Sequence, residues 1–190
     1  MARQPPRLIA PGSVPRCPIQ HRGKDMQTPT LVFRGVEYRH RWSRHGQNEF
    51  TPQGQEDLAT WRDMLTLDVY ESVADGDRLA QLANKILENY QGTGKVLRTD
   101  TRPSTAGGKP EHLIVAVLFG AGFLEAAFAR LRLSDGVGTV IVYSHRVYGE
   151  SGGQAMGDWL KANGPQVELD LMALTALPAP AVLESLPQSL

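Results

Sequence analysis

The chain has 190 residues, of which 41% are hydrophobic and 21% charged, and this ordinary globular usage excludes a disordered or fibrous chain. Twenty basic and twenty acidic residues give no net charge and form no block of like charge, which argues against nucleic acid as a partner. A single cysteine, Cys17, excludes an internal disulfide, and no stretch approaches the ~18 apolar residues of a membrane span.

Residues 1–28 are rich in proline and arginine and have no periodic apolar pattern, which predicts an arm or linker. Residues 176–190 predict a second, proline- and alanine-rich tail. A single domain is therefore expected over residues 29–175. No signal-peptide pattern precedes Cys17, so the chain as it stands is expected to be soluble and cytoplasmic, or periplasmic if a signal has been removed.

The first half of this domain alternates like strands and then changes to a helical period. Alternation predicts strands in Thr30–Trp42, with a bend at Arg34-Gly35, and in Ala59–Tyr70, and residues 43–54 between them are predicted as a turn-rich stretch. A helix is predicted after Asp75, because apolar residues recur with helical spacing at Leu79, Leu82, Ala83, Ile86, Leu87 and Tyr90.

The second half predicts four strands and a closing helix. Lys95–Thr101 is predicted as a short strand, and the strongly apolar run Glu111–Phe119 predicts a central strand that is covered on both faces. Phe123–Leu133 also fits a helix, but the following turn residues and the β-branched run Thr139–Val142 favour a hairpin. The last helix is predicted to begin at Ser151 and to end at residues 163–165, where Asn, Gly and Pro follow one another.

The predicted order is β-β-β-α-β-β-β-β-α, which is an α+β fold with an antiparallel sheet of about six to seven strands and two helices packed on it. This order resembles the Mog1/PsbP-like fold group, which includes DcrB-like bacterial exported proteins and the adaptor chaperones of type VI secretion. The resemblance is one of architecture and carries no motif, so it implies no site residue. It implies a bacterial accessory or binding protein without catalytic activity.

Two patterns that suggest a bound cofactor or metal fail on order or spacing. Gly92-Thr93-Gly94-Lys95 lacks the Ser or Thr of a phosphate-binding loop and stands between a helix and a strand, which is the reverse of the required order. His40 and His45 would point to opposite faces of a strand, and no compact set of ligands surrounds them. We therefore expect neither a cofactor nor a metal.

Catalysis stays open as an alternative at two histidines. Ser144 and His145 are neighbours on a strand, so they face opposite ways and cannot act as nucleophile and base. His145 could still pair with a distant carboxylate, Asp63, Asp68 or Glu111, and His112 could also use an acidic partner. A small α+β hydrolase using His145 or His112 with an acidic partner is therefore the alternative to a binding protein.

The segments Arg39–His45 and Tyr143–Tyr148 concentrate aromatic, histidine and arginine side chains at strand ends. Such mixtures are frequent at protein-binding hot spots and anion sites, although they also cover half-buried sheets. The leading interpretation is a partner protein or small ligand bound on the open sheet face through Trp42, Arg44, Tyr143, His145 and Arg146. A structural subunit that docks through residues 1–28 onto a partner or a second copy, forming a homo-oligomer, is a further alternative.

Overall fold

The computed structural model describes residues 29–102 and 109–189, so the predicted arm at residues 1–28 lies outside the described residues. The described part contains eight strands and three helices in the order β1 (Thr30–Phe33), β2 (Val36–Arg44), β3 (Gln47–Pro52), β4 (Asp63–Tyr70), α1 (Gly76–Thr93), β5 (Gly94–Arg102), β6 (Glu111–Gly120), β7 (Phe123–Ser134), β8 (Val137–Tyr148), α2 (Gly152–Ala173) and α3 (Pro180–Glu184).

All eight strands form one antiparallel sheet in the order β1-β2-β3-β4-β8-β7-β6-β5. The predicted α+β fold with an antiparallel sheet and two main helices is thus confirmed, with one strand more than expected. The additional strand is β3, which lies in the stretch predicted as turns. Its composition hides it, because Gln47, Asn48, Glu49 and Pro52 are disfavoured in strands and only pairing on both sides holds them there.

The two long helices pack on opposite sides of the sheet, which we call the α1 side and the α2 side. The α1-side core joins α1 to alternate residues of β6, β7 and β8 and includes Val140. The α2-side core joins α2 and α3 to strands on both halves of the sheet and includes Phe50, Phe128 and Tyr143. Strand β6 is buried on both sides, as its apolar run predicts, but it lies second from the edge of the sheet.

Helix α1 forms where the periodicity predicts it. The Asp75 side chain accepts a hydrogen bond from the Arg78 amide (2.8 Å) and so caps the first turn. The helix ends at Thr93, and Gly94 begins β5 at once. A Cβ at Gly94 would lie 2.1 Å from the carbonyl oxygen of Val117, so this close strand approach requires glycine.

Helix α2 continues past Pro165 to Ala173, and the predicted end at residues 163–165 is therefore wrong. Val167 and Leu171 beyond the proline are fully buried against the sheet, and their packing outweighs the loss of one amide donor. The buried Arg130 guanidinium on β7 then caps the extended end, because its Nη1 donates to the carbonyl oxygens of Leu171 (2.9 Å) and Leu174 (2.7 Å).

The segment predicted as a tail, residues 176–190, packs on the domain over its described part. Helix α3 places Leu183 in the α2-side core with no exposed surface, and Leu186 is nearly as buried. The amide of Ser189 donates to the carbonyl oxygen of Ser43 at the end of β2 (2.7 Å). The prolines of this segment interrupt any helical periodicity, and the sequence pattern therefore did not indicate that Leu183 and Leu186 would be buried.

Candidate functional site

The five residues predicted as a binding site lie on both sides of the sheet. Side chains alternate along a strand, so Tyr143 and His145 point to the α2 side and Arg146 points to the α1 side. Strand pairing carries this alternation across the sheet from β8 through β4 and β3 to β2. Trp42, which lies opposite Glu49, therefore points to the α1 side, and so does Arg44. The structure therefore brings Trp42 and Arg44 to one side and separates them from Tyr143 and His145.

On the α2 side, Tyr143 and His145 share one carboxylate. The Tyr143 hydroxyl donates to Asp63 Oδ1 (2.8 Å), and His145 Nδ1 lies 2.9 Å from the same oxygen. Burial raises the pKa of Asp63, but the hydrogen bonds from His145 and Tyr143 outweigh it and hold this pKa below its usual value. Burial and the neighbouring Asp63 both raise the pKa of Tyr143.

The His145 ring is also stacked on Trp159 of α2. The two ring centres are 4.0 Å apart and the planes differ by 4°. Trp159 stacks on Tyr143 as well, at 6.4 Å. Contacts among four side chains therefore connect β4, β8 and α2: Asp63, Tyr143, His145 and Trp159. Because the carboxylate and the rings already take part in these contacts, the cluster has a structural role.

The two histidines of the catalytic alternative differ in their hydrogen-bond partners. His145 has the carboxylate partner that the hydrolase interpretation asks for. His112 Nδ1 lies 3.1 Å from the Thr101 hydroxyl, and its buried Nε2 has no hydrogen-bond partner in the part of the chain that the structure describes. Burial lowers the pKa of His112. Ser144 points to the α1 side and donates to Glu125 Oε1 (2.7 Å), so it does not face His145.

Arg146 is held in a clamp on the α1 side. Its Nε donates to Glu125 Oε2 (2.8 Å), and its guanidinium carbon lies 3.8 Å from the centre of the Trp61 ring and 4.0 Å from that of Phe123. The Tyr148 hydroxyl fastens the same region by donating to the Trp61 carbonyl oxygen (2.6 Å). With cation–π contacts on two rings and an ion pair, Arg146 anchors the segment before β4 to the end of β8.

Two buried carboxyl groups lie on the α1 side, and the sequence analysis named Asp68 only as a possible partner of His145 and did not predict a site at Glu49. Glu49 and Asp68 are only 3% and 5% exposed, and Glu49 Oε2 and Asp68 Oδ1 have no hydrogen-bond partner among the described residues. Burial raises the pKa of Glu49 to about 7, although Arg146 and a hydrogen bond from Gln47 lower it. Burial and the charge of Glu49 raise the pKa of Asp68 to about 7.

These two carboxyls lie beside the predicted Trp42 and Arg44. In the register of β2, β3 and β4, Trp42 is opposite Glu49, Arg44 is opposite Gln47, and Gln47 is opposite Asp68. Strongly shifted carboxyl groups are frequent at functional sites. The sequence did show that Asp68 interrupts the apolar pattern of β4. Because β3 was not predicted as a strand, nothing indicated that Glu49 would lie near Asp68.

Trp42 and Arg44 belong to a part of the sheet that no described helix covers. Helix α1 packs over β5, β6 and β7, and it leaves the α1 side of β1 and β2, here called the open face, without a helix among residues 29–102 and 109–189, whereas the same side of β3 is buried at Glu49 and Thr51. Trp42 is half-buried there and Arg44 is exposed. Arg39 and Arg41 pair with Glu37 and Glu56, whereas Arg44 forms no ion pair with any described residue.

Within the described ranges, no group of three or more His, Cys, Asp or Glu side chains is arranged to hold a metal ion. A search of the same ranges finds no helix with the length and apolar character to span a bilayer.

Comparisons with known proteins concern the fold. No family model and no curated protein matches the chain. The Ran-binding protein Mog1p of Saccharomyces cerevisiae is 19% identical with a TM-score of 0.46, over 70% of this chain and 77% of that one. Cyanobacterial PsbP (CyanoP) from Synechocystis sp. PCC 6803 is 12% identical with a TM-score of 0.37, over 81% and 96%. The resemblance predicted from element order is confirmed, and it is one of fold alone.

Proposed function

We propose that this chain is a non-catalytic accessory protein that binds a partner protein on the open face through Trp42 and Arg44. One observation carries the proposal: this part of the sheet presents a half-buried tryptophan and an arginine without an ion pair, and no described helix covers it. Tryptophan and arginine are enriched at binding hot spots. An arginine with free donors is suited to a carboxylate on the partner.

The other predicted residues support this surface from within. Arg146 contacts Glu125, Trp61 and Phe123 and is largely buried, so its role is to fix the end of β8. Tyr143 and His145 hold β4 against β8 and α2 on the opposite side. We therefore assign partner contact to Trp42 and Arg44 and a positioning role to Tyr143, His145 and Arg146.

The hydrolase alternative has one specific observation in its favour, the 2.9 Å contact between His145 Nδ1 and Asp63 Oδ1. An Asp–His pair of this geometry can act as a general base. The Asp63 oxygen is shared with the Tyr143 hydroxyl, however, and the histidine ring is stacked on Trp159. These contacts favour a structural role for the pair. We therefore propose binding in preference to catalysis.

The test uses the full chain immobilised as bait in a lysate of its source organism, with captured proteins quantified by mass spectrometry. A charge reversal, Arg44→Glu, leaves packing intact, and Trp42→Ala removes the aromatic contact. The matched control is Leu97→Ala with Arg98→Ala, an exposed apolar and basic pair on β5. Circular dichroism melting of each variant checks that it is folded.

A protein that the wild type and the β5 control capture equally, and that both open-face variants lose, is the expected result. Binding of that purified protein should weaken about tenfold or more in each open-face variant. Equal capture by Arg44→Glu and the wild type would overturn the site assignment. Turnover of a chromogenic ester that His145→Ala abolishes and Arg44→Glu preserves would instead support the hydrolase.

A further inference from the structure

The outer edge of β1 has backbone hydrogen-bonding groups that no described strand uses. Strand β1 is the first in the sheet order and pairs only with β2. The two-residue turn Arg34-Gly35 has left-handed φ at both positions, so Phe33 and Val36 form the hydrogen-bonded pair beside it. Because the pairs alternate, the N–H and C=O groups of Thr30 and Val32 point outward.

The opposite edge of the sheet is protected against strand addition, whereas nothing in residues 29–102 and 109–189 protects the β1 edge in the same way. Strand β5 has a bulge between Val96 and Arg98 and carries exposed charged side chains along its length, at Lys95, Arg98, Asp100 and Arg102. Charges and bulges on an edge prevent other strands from pairing with it. By contrast, β1 has the uncharged sequence TLVF, no irregularity in its pairing with β2, and Val32 58% exposed.

A groove runs beside this unprotected edge on the α2 side. Its volume is about 340 Å³, and it lies between the β1–β2 hairpin, at Val32, Phe33 and Arg34, and the end of α2 with the residues that follow, from Asp170 to Ala176. Small side chains at Ala173 and Ala176 leave the space open. Arg34 Nε and Asp170 Oδ2 are 3.1 Å apart, so the charges at the groove compensate each other and favour an uncharged occupant.

We propose that β1 accepts an extended segment of a partner protein as a ninth antiparallel or parallel strand, with an apolar side chain of that segment in the groove. Side chains of a paired strand share a side with the residues opposite them, so the residue opposite Phe33 points to the α2 side, next to Ala173. Main-chain bonds then supply affinity and the groove supplies selectivity. This edge and its groove adjoin the open face but do not include Trp42 or Arg44, and the proposal goes beyond the function proposed there.

The described part of a second copy of this chain does not fit as the occupant. The described edge strand that it would offer is its own β1, whose α2-side residues Leu31 and Phe33 are 3% and 2% exposed in their own core. These side chains are not free to enter the groove of a neighbour, which would stay empty. A separate extended segment has its side chains free, and so it satisfies the backbone edge and the groove together.

The experiment selects octapeptides from a random displayed library on the immobilised full chain and measures their dissociation constants by fluorescence anisotropy. Ala173→Trp fills the groove, and Ala162→Trp, at an exposed position of the same helix outside the groove, is the matched control. Each selected peptide is also made with alternate amides N-methylated, in either of the two phases, because strand addition uses only one set of amides.

We expect Ala173→Trp to weaken binding about tenfold or more and Ala162→Trp to change it less than about twofold. One phase of N-methylation should abolish binding and the other preserve it, and the amide of Val32 should gain protection from hydrogen exchange. Failure to select any peptide, equal binding to both tryptophan variants, or indifference to N-methylation would overturn the proposal. A concentration-dependent dimer that Ala173→Trp dissociates would also overturn it, in favour of a second copy.

Discussion

Replacement of Glu49 by glutamine should stabilise the protein, and the gain should depend on pH. The folded protein raises the pKa of this carboxyl from 4.5 to about 7, chiefly because it is buried. The unfolded chain loses the proton near the lower value. Between these two values the folded state binds more protons than the unfolded state, so its stability falls as pH rises through this window.

The size of the effect follows from the shift. A shift of one pKa unit corresponds to about 1.4 kcal/mol, so full ionisation of Glu49 in the folded state costs about 3 kcal/mol above pH 7 and almost nothing below its ordinary pKa. Glutamine keeps the shape and accepts the same hydrogen bond from Gln47 without the charge. We therefore expect Glu49→Gln to gain up to about 3 kcal/mol near pH 8 and close to zero near pH 4.5.

The assay is urea unfolding followed by tryptophan fluorescence at both pH values, with the free energy of unfolding compared between variant and wild type. Glu88→Gln, an exposed position on α1, is the control and should change stability little at either pH. A Glu49→Gln protein that is no more stable than the wild type near pH 8, or whose gain is the same at both pH values, would refute the reasoning.

Three further predictions concern the Arg130 cap, the Tyr143 hydrogen bond and Pro165. Arg130→Met should destabilise the protein by about 3–5 kcal/mol in urea unfolding, because it leaves Glu111 unpaired and uncaps α2; adding Glu111→Met should restore part of the loss, and a purely additive double variant would contradict this. Tyr143→Phe should cost about 1–3 kcal/mol by removing a hydrogen bond to the Asp63 carboxylate, and an unchanged thermal midpoint would count against that bond. Pro165→Ala should raise the thermal midpoint, by about 1–3 kcal/mol of stability, because the exposed proline interrupts a continuous helix; a lowered midpoint would show that the ring itself contributes.

Helical periodicity made α1 predictable, because its apolar residues recur on one face, and the turn residues before a β-branched run made the hairpin of β7 and β8 predictable. Strand β3 was missed because its residues are mostly polar and its strand conformation depends on pairing with β2 and β4. The end of α2 was misplaced because Pro165 is a strong local stop signal, while the packing of Val167 and the cap from Arg130 are non-local.

Alternation alone could have placed Arg146 and His145 on opposite sides of β8, since they are adjacent residues of one strand. The partner of His145 was among the candidates named from the sequence, and Asp63 was one of three. Choosing among them required the register of β4 on β8, in which Asp63 lies directly opposite His145. The stacking of Trp159 on that histidine depends on how α2 crosses the sheet, which no local pattern encodes.

By itself, then, the sequence determined the α+β class, the antiparallel sheet and most of its strands, because burial of one face imposes a period that can be read along the chain. The tertiary structure decided which side chains meet. Glu49 and Asp68 are 19 positions apart in the chain, and they lie near each other on one side of the sheet because β3 pairs with β4. Their raised pKa values, the open face beside them and the unprotected β1 edge follow from strand order and burial, which are properties of the assembled sheet.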